Sequence, residues 1–202
     1  MPERIQIQSY MKHFLTWILA CVVGIYFSIN IKAADGEVAT IETSAGTIIV
    51  EFWPEVAPKS VENFKSLAKK GFYDGTAFHR IISGIMAQGG DPLTKDPSQE
   101  SSWGTGGPGY TISAEINPRP HQLGVISMAP GPKPGTSGSQ FILCLGNAPQ
   151  LNGKCSAFGK VKSGLDVLKK IGKTPVKASA NGERSKPTSR LEVKSIKIQK
   201  AN

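Results

Sequence analysis

Histidine and cysteine are scarce in this chain, three of each in 202 residues. His13, His79 and His121 lie far apart, and none has a partner at ligand spacing, so the sequence offers no metal centre and calls for no cofactor. Three cysteines do not make a disulfide scaffold: Cys21 falls in an apolar N-terminal run, which leaves Cys144 and Cys155. That pair could join in an oxidising compartment, but a free, buried Cys144 is the plainer expectation. An internal repeat is also missing. The run Gly104-Thr105-Gly106-Gly107 lacks the following lysine and hydroxyl residue of a phosphate-binding loop and reads as a flexible loop. A formal charge of +9 is dispersed and without aromatic interleaving, which argues against a nucleic-acid surface. Lys69-Lys70 and Lys169-Lys170 instead fall near expected helix ends, where cations offset the helix dipole.

What is present begins with a different kind of segment. Residues 14–31 are almost wholly apolar, preceded by Lys12-His13 and followed by Lys32-Ala33-Ala34-Asp35. A basic flank, an apolar core and small residues beyond it read as an export signal, with Met11 as an alternative start and cleavage near Ala33 or Ala34. The run also approaches the about 20 residues that span a bilayer, so an uncleaved membrane anchor is a second reading. Ile18-Leu19-Ala20-Cys21 has the form of a lipoprotein cleavage box, although the chain continues apolar after it. Each reading sets residues 1–34 apart and sends one domain, 35–202, to the periplasm, either free or tethered through 14–31.

Within that domain, β-branched runs at 38–43 and 47–53 flank Ser44-Ala45-Gly46 and predict a hairpin, with Ile48, Val50 and Phe52 on one face. Pro58 opens a helix whose buried stripe is Val61, Phe64, Leu67 and Ala68, and Gly71 ends it. Further strands are expected at 77–82, 85–88, 124–128, 140–145 and 157–161. A second helix is expected at 164–171 with Leu165, Leu168 and Ile171 inward. The last strand, 191–198, loses its alternation after Val193, which predicts a bulge near Ser195. Two long loops remain, 92–109 with three prolines and four glycines, and 175–190, which is polar and basic. Many strands and two helices argue for an antiparallel sheet or barrel.

The most informative stretch is Phe78-His79-Arg80-Ile81-Ile82-Ser83-Gly84-Ile85-Met86-Ala87-Gln88-Gly89-Gly90-Asp91. Alternation lets Arg80, Ile82, Met86 and Gln88 share one side, with Ser83-Gly84 as the bend. One fixed cation, one amide and an apolar surface suit an uncharged, peptide-sized substrate. This block resembles that of the cyclophilin family of peptidyl-prolyl cis-trans isomerases. Other blocks follow in family order: Val56-Ala57-Pro58-Lys59-Ser60-Val61-Glu62-Asn63-Phe64, Gly71-Phe72-Tyr73-Asp74-Gly75, Gly104-Thr105-Gly106-Gly107, Gly124-Val125-Ile126-Ser127-Met128-Ala129, Gly138-Ser139-Gln140-Phe141 and Phe158-Gly159-Lys160-Val161. The resemblance covers roughly 38–198 and implies a mainly β fold, a closed eight-stranded antiparallel barrel capped by two helices.

By the same resemblance, Arg80 is the catalytic donor that stabilises the twisted amide, and Gln88 holds the substrate backbone. Met86, Phe141, Ile142 and Leu151 line the proline pocket, Ala129 offers main-chain groups, and His79, Ile85 and Gln140 complete the substrate-binding set. His79 reads equally well as a satisfied rim or core histidine. The implied partners are proline-containing peptides and unfolded clients among exported proteins, with the protein itself a monomer of bacterial origin. The chain departs from the best-known members at Ile85 and Ile142, where they carry phenylalanine, at Gln150 for tryptophan, at Cys155 for histidine and at Pro130 for asparagine. Two lost rings thin the groove by about 1–2 kcal/mol each, which implies weaker peptide binding and weak cyclosporin binding. A non-catalytic proline-peptide binding module using the same groove is the alternative function.

Overall fold

Alternation between buried and exposed positions builds the first hairpin. The computed structural model describes residues 36–201, so the readings placed on 1–34 lie outside the described residues. Strands β1 (Glu37–Thr43) and β2 (Gly46–Phe52) pair antiparallel, and Ile48, Val50 and Phe52 turn to the core as their spacing requires. Helix α1 (Pro58–Lys69) starts on a proline and buries Val61, Phe64, Leu67 and Ala68. Its first turn is capped from a distance: the Glu115 carboxylate accepts from Lys59 N at 3.0 Å and from Ser60 N and Oγ at 2.7 Å each. A carboxylate there satisfies otherwise unpaired amides and faces the positive end of the helix dipole.

After α1 come β3 (Thr76–Ala77), β4 (Arg80–Ile82), β5 (Met86–Gly89) and β6 (Ile112–Ser113). Then follow β7 (Val125–Pro130), β8 (Thr136–Cys144), β9 (Ser156–Ser163), α2 (Leu165–Gly172), β10 (Val176–Ala178), β11 (Arg184–Pro187) and β12 (Glu192–Lys200). Where one strand was expected at 77–82, the chain breaks at Phe78-His79. Phe78 N donates to Leu191 O at 2.9 Å, on the β12 side, and His79 N to Gln88 O at 3.1 Å, on the β5 side. The expected closed ring of eight is therefore replaced by an open, curled antiparallel path, β3-β12-β1-β2-β9-β7-β8-β5-β4, with β6 added on β8. Its two ends are consecutive pieces of one segment. The bulge expected near Ser195 is present: Glu42 pairs with Ser195 and Thr43 with Val193, which leaves Lys194 over.

The main core lies between the concave sheet and the two helices. Phe64 is its centre, with ring centroids 5.1 Å from Tyr73, 5.2 Å from Phe158 and 5.5 Å from Phe141. In α2, Val167, Leu168 and Ile171 are buried and Leu165 is exposed, contrary to the expected stripe. Leu165 opens the helix and lies over Gly124, outside the core cluster. Among the described residues no helix is long and apolar enough to cross a membrane.

Candidate active site

The site grows from the β4–β5 hairpin. Pairing sets Arg80 opposite Gln88, Ile81 opposite Ala87 and Ile82 opposite Met86. Ile81 and Ala87 point into the main core and are fully buried, so the two outer pairs share the other face. Strand β8 extends that face, with Ile142 opposite Gln88. Met86, Ala129, Ile142 and Cys155 form an apolar floor, and Ile82, Ile85 and Leu151 pack at its margin. Little of the floor reaches solvent, since its members are only 1–3% exposed.

A row of polar side chains edges the floor. Arg80 Nη1 lies 3.4 Å from Gln88 Oε1 and 3.8 Å from Met86 Sδ. Gln88 Nε2 donates to Gln140 Oε1 at 2.8 Å, and Gln140 Nε2 donates to the carbonyls of Gly104 and Gly106, each at 2.9 Å. The same loop is held from below by Asp91, which is fully buried and accepts from Leu93 N at 2.8 Å, from Gly106 N at 3.2 Å and from Gly104 N. Gly106 must be glycine, because a Cβ there would fall 2.0 Å from Asp91 Oδ1. The preceding Gly90, at φ +83°, likewise lets the chain pass Ser139 O, which a Cβ would meet at 2.6 Å. The loop expected to be flexible is thus pinned at four backbone groups.

The opposite edge of the guanidinium is also occupied. Arg80 Nε and Nη2 donate to the two carboxylate oxygens of Glu183, each at 2.7 Å. This contact raises the arginine pKa further and, with a hydrogen bond involving Ser185, holds the Glu183 carboxyl down to about 2. A cleft of about 760 Å³ adjoins the groove, sharing Ala129 and Gln140 with it and lined also by Gly104, Gly106, Tyr110 and Lys133.

Comparison with known proteins places the chain in a family. The model of the cyclophilin type peptidyl-prolyl cis-trans isomerase/CLD family matches residues 38–198. The chain belongs to the cyclophilin-type peptidyl-prolyl cis-trans isomerases. A peptidyl-prolyl cis-trans isomerase of Helicobacter pylori (strain ATCC 700392 / 26695) is 47% identical over 137 residues, 66% of this chain and 78% of the relative. That of Synechococcus elongatus is 42% identical over 146 residues, 72% and 90% of the two chains. Among solved structures, a Cryptosporidium parvum cyclophilin crystallised with the dipeptide Ala-Pro is 32% identical, with a TM-score of 0.69 over 80% of this chain and 98% of that one. The fold is the cyclophilin fold, and the protein is an isomerase of this type.

Placed on this cyclophilin, most of the expected site residues converge. Arg80, Met86, Gln88, Ala129 and Ile142 meet at the groove, with Ile85 and Leu151 at its margin. Phe141 does not: it is fully buried in the main core against Phe64, Tyr73 and Phe78. The strand alternates, so Gln140 and Ile142 take the groove face and Phe141 the inner one. Gln140 is present, but its amide is engaged in holding Gln88 and the Gly104 loop. Cys155, which the sequence did not mark as a groove residue, belongs to the floor. Cys144 and Cys155 are both buried and unpaired, and burial pushes their thiols up to about 12 and about 11. Among the described residues no group of His, Cys, Asp and Glu gathers at metal-binding distance.

His79 lies off the floor, its Nε2 facing Gly104. Burial pushes its pKa down to about 4, with Asp91 pulling it up and Arg80 adding to the fall. It is therefore neutral at neutral pH. An unfolded chain takes up this proton near pH 6.5 and the folded one only near 4, so stability is full above pH 6.5 and is lost as the pH falls through that window. Between pH 7.5 and 4.5 His79 should remove on the order of 2 kcal/mol. Urea unfolding of wild type and His79→Gln at both pH values checks this; the variant should lose less stability on acidification.

Proposed function

We propose that this cyclophilin catalyses X–Pro rotation by electrostatic stabilisation of the twisted amide, with Arg80 as the donor. The observation that carries the reading is the Nη1 edge of Arg80, which among the described residues bonds no carboxylate and stands beside Gln88 at the rim of the Met86 floor. An amide bond resists rotation by about 18–20 kcal/mol because nitrogen and carbonyl share electrons. At the twisted geometry that sharing is lost, the proline nitrogen becomes electron-rich and the carbonyl oxygen swings away. A fixed cationic donor binds the twisted form better than the planar one, and only such differential binding lowers the barrier. Arginine suits the task, being always charged and planar. Gln88, held by Gln140, would take the substrate backbone, and the floor with Ile82, Ile85 and Leu151 would meet the proline ring. The Ala-Pro dipeptide present with the Cryptosporidium relative supports a proline peptide as ligand. Isoleucine at 85 and 142 and a nearly covered floor favour weak binding of peptides and of cyclosporin.

The groove serves, in this reading, clients that fold outside the cytoplasm. Support comes from the sequence alone, the basic-then-apolar segment ahead of residue 35. N-terminal sequencing of the protein from cells should give a start close to Ala34; an intact N-terminus would replace cleavage with the anchor reading, and recovery of residues 35–202 in the cytosol would remove the export reading. For the chemistry, Arg80→Ala should lower kcat/KM on an Ala-Pro peptide roughly 10²-fold or more in a protease-coupled assay, with the circular dichroism spectrum unchanged. Turnover equal to wild type in that variant would exclude Arg80 as the donor.

A further inference from the structure

Glu183 is the one acidic residue between Asp166 and Glu192, in a stretch otherwise rich in lysine and arginine. It closes the turn of the β10–β11 hairpin, and that turn is internally built. Ser179 N donates to Glu183 O at 2.8 Å, and Asn181 Oδ1 accepts from Glu183 N at 3.1 Å and from Ser179 Oγ at 2.6 Å. The hairpin is then tied to the body of the protein. Lys186 Nζ binds Glu100 Oε1 at 2.9 Å, and just beyond the hairpin the Arg190 guanidinium donates to the carbonyls of Thr94 at 2.7 Å and Gly75 at 2.6 Å. Strand β11 packs on β4, the strand that carries Arg80. A backbone fixed at this many points delivers the Glu183 carboxylate to the guanidinium in a two-point contact.

Such a contact has two physically opposite consequences. It orders the arginine, and it places a negative charge beside the cation. The geometry favours ordering. Glu183 occupies the Nε–Nη2 edge only, while Nη1 stays at the rim with Gln88 Oε1 and Met86 Sδ. Two parallel N–H···O bonds fix the plane of the fork as well as its position, which a single contact does not. The two side chains are 38% and 34% exposed, so water screens the carboxylate's field at the groove more than it loosens a direct contact. An ion pair this exposed adds little to folding stability, which separates its removal from unfolding.

We propose that Glu183 is a positioning residue for the isomerase reaction, holding one edge of Arg80 so that Nη1 is presented to the substrate amide. The assignment rests on Arg80 being the donor. It is tested in the full chain with Glu183→Ala, Glu183→Gln and Glu183→Asp beside Arg80→Ala, reading kcat and KM separately and the side-chain Nε–H resonance of Arg80. Glu183→Ala and Glu183→Gln should lower kcat about tenfold with KM within about twofold, since orientation is required most in the transition state. Glu183→Asp should recover part of the loss. The Arg80 Nε–H signal should be slow to exchange with water in wild type and move to the free-arginine position in Glu183→Ala. A kcat unchanged or raised in Glu183→Ala, with turnover lost in Arg80→Ala, would overturn the positioning role and leave the carboxylate as a shield. Turnover retained in Arg80→Ala would overturn the role of Arg80 and that of Glu183 with it.

Discussion

The register of one short hairpin sets Arg80 across from Gln88 and Ile82 across from Met86, and the groove is assembled around those two pairs. Because side chains alternate along a strand, this register sends a cation, an amide and two apolar groups to the same face, and Ile81 and Ala87 to the core. A slip by one residue would exchange the two sets, burying Arg80 and exposing the core. The remaining contacts at the site refine this placement. Gln140 and Asp91 hold the Gly104 loop from two sides, and the loop in turn fixes the amide row that begins at Gln88.

Two apolar clusters lie on opposite faces of the same strands, and they do different work. The inner one, centred on Phe64, carries the fold with tilted and edge-on rings. The outer one contains no aromatic ring: Met86, Ala129, Ile142 and Cys155 are small or flexible. Less apolar area there means weaker attraction for a proline ring, while Arg80, Gln88 and Gln140 stand together at its edge. In the proposed reading the donor and the floor are separate parts of the groove, so substitution of the floor should alter affinity more directly than it alters the donor.

Much of this was legible in the sequence wherever local periodicity and tertiary structure agree. The Arg80-to-Gln88 alternation, the Val61-Phe64-Leu67-Ala68 stripe and the phase slip after Val193 each correspond to an observed feature. Phe141 was misplaced because an apolar strand buried on both faces does not reveal which face meets the groove; Gln140 and Ile142, its neighbours, do face it. The break at Phe78-His79 was hidden for a similar reason, since an extended segment that changes partners looks like one strand. The Glu183 contact was out of reach of local patterns altogether, as it joins residues 103 positions apart. A lone carboxylate in a basic, non-periodic loop was the available signal, and it marks a charge that has a distant partner.

The central claim is that the Arg80 edge above the Met86 floor accelerates rotation and does not merely hold proline peptides. Exchange spectroscopy on an Ala-Pro peptide with the wild-type protein tests it without a coupling enzyme. The account predicts exchange cross-peaks between the cis and trans proline resonances within a second, where the uncatalysed peptide takes tens to hundreds of seconds. Saturable binding of the peptide with no cross-peaks and no gain in the exchange rate would contradict it.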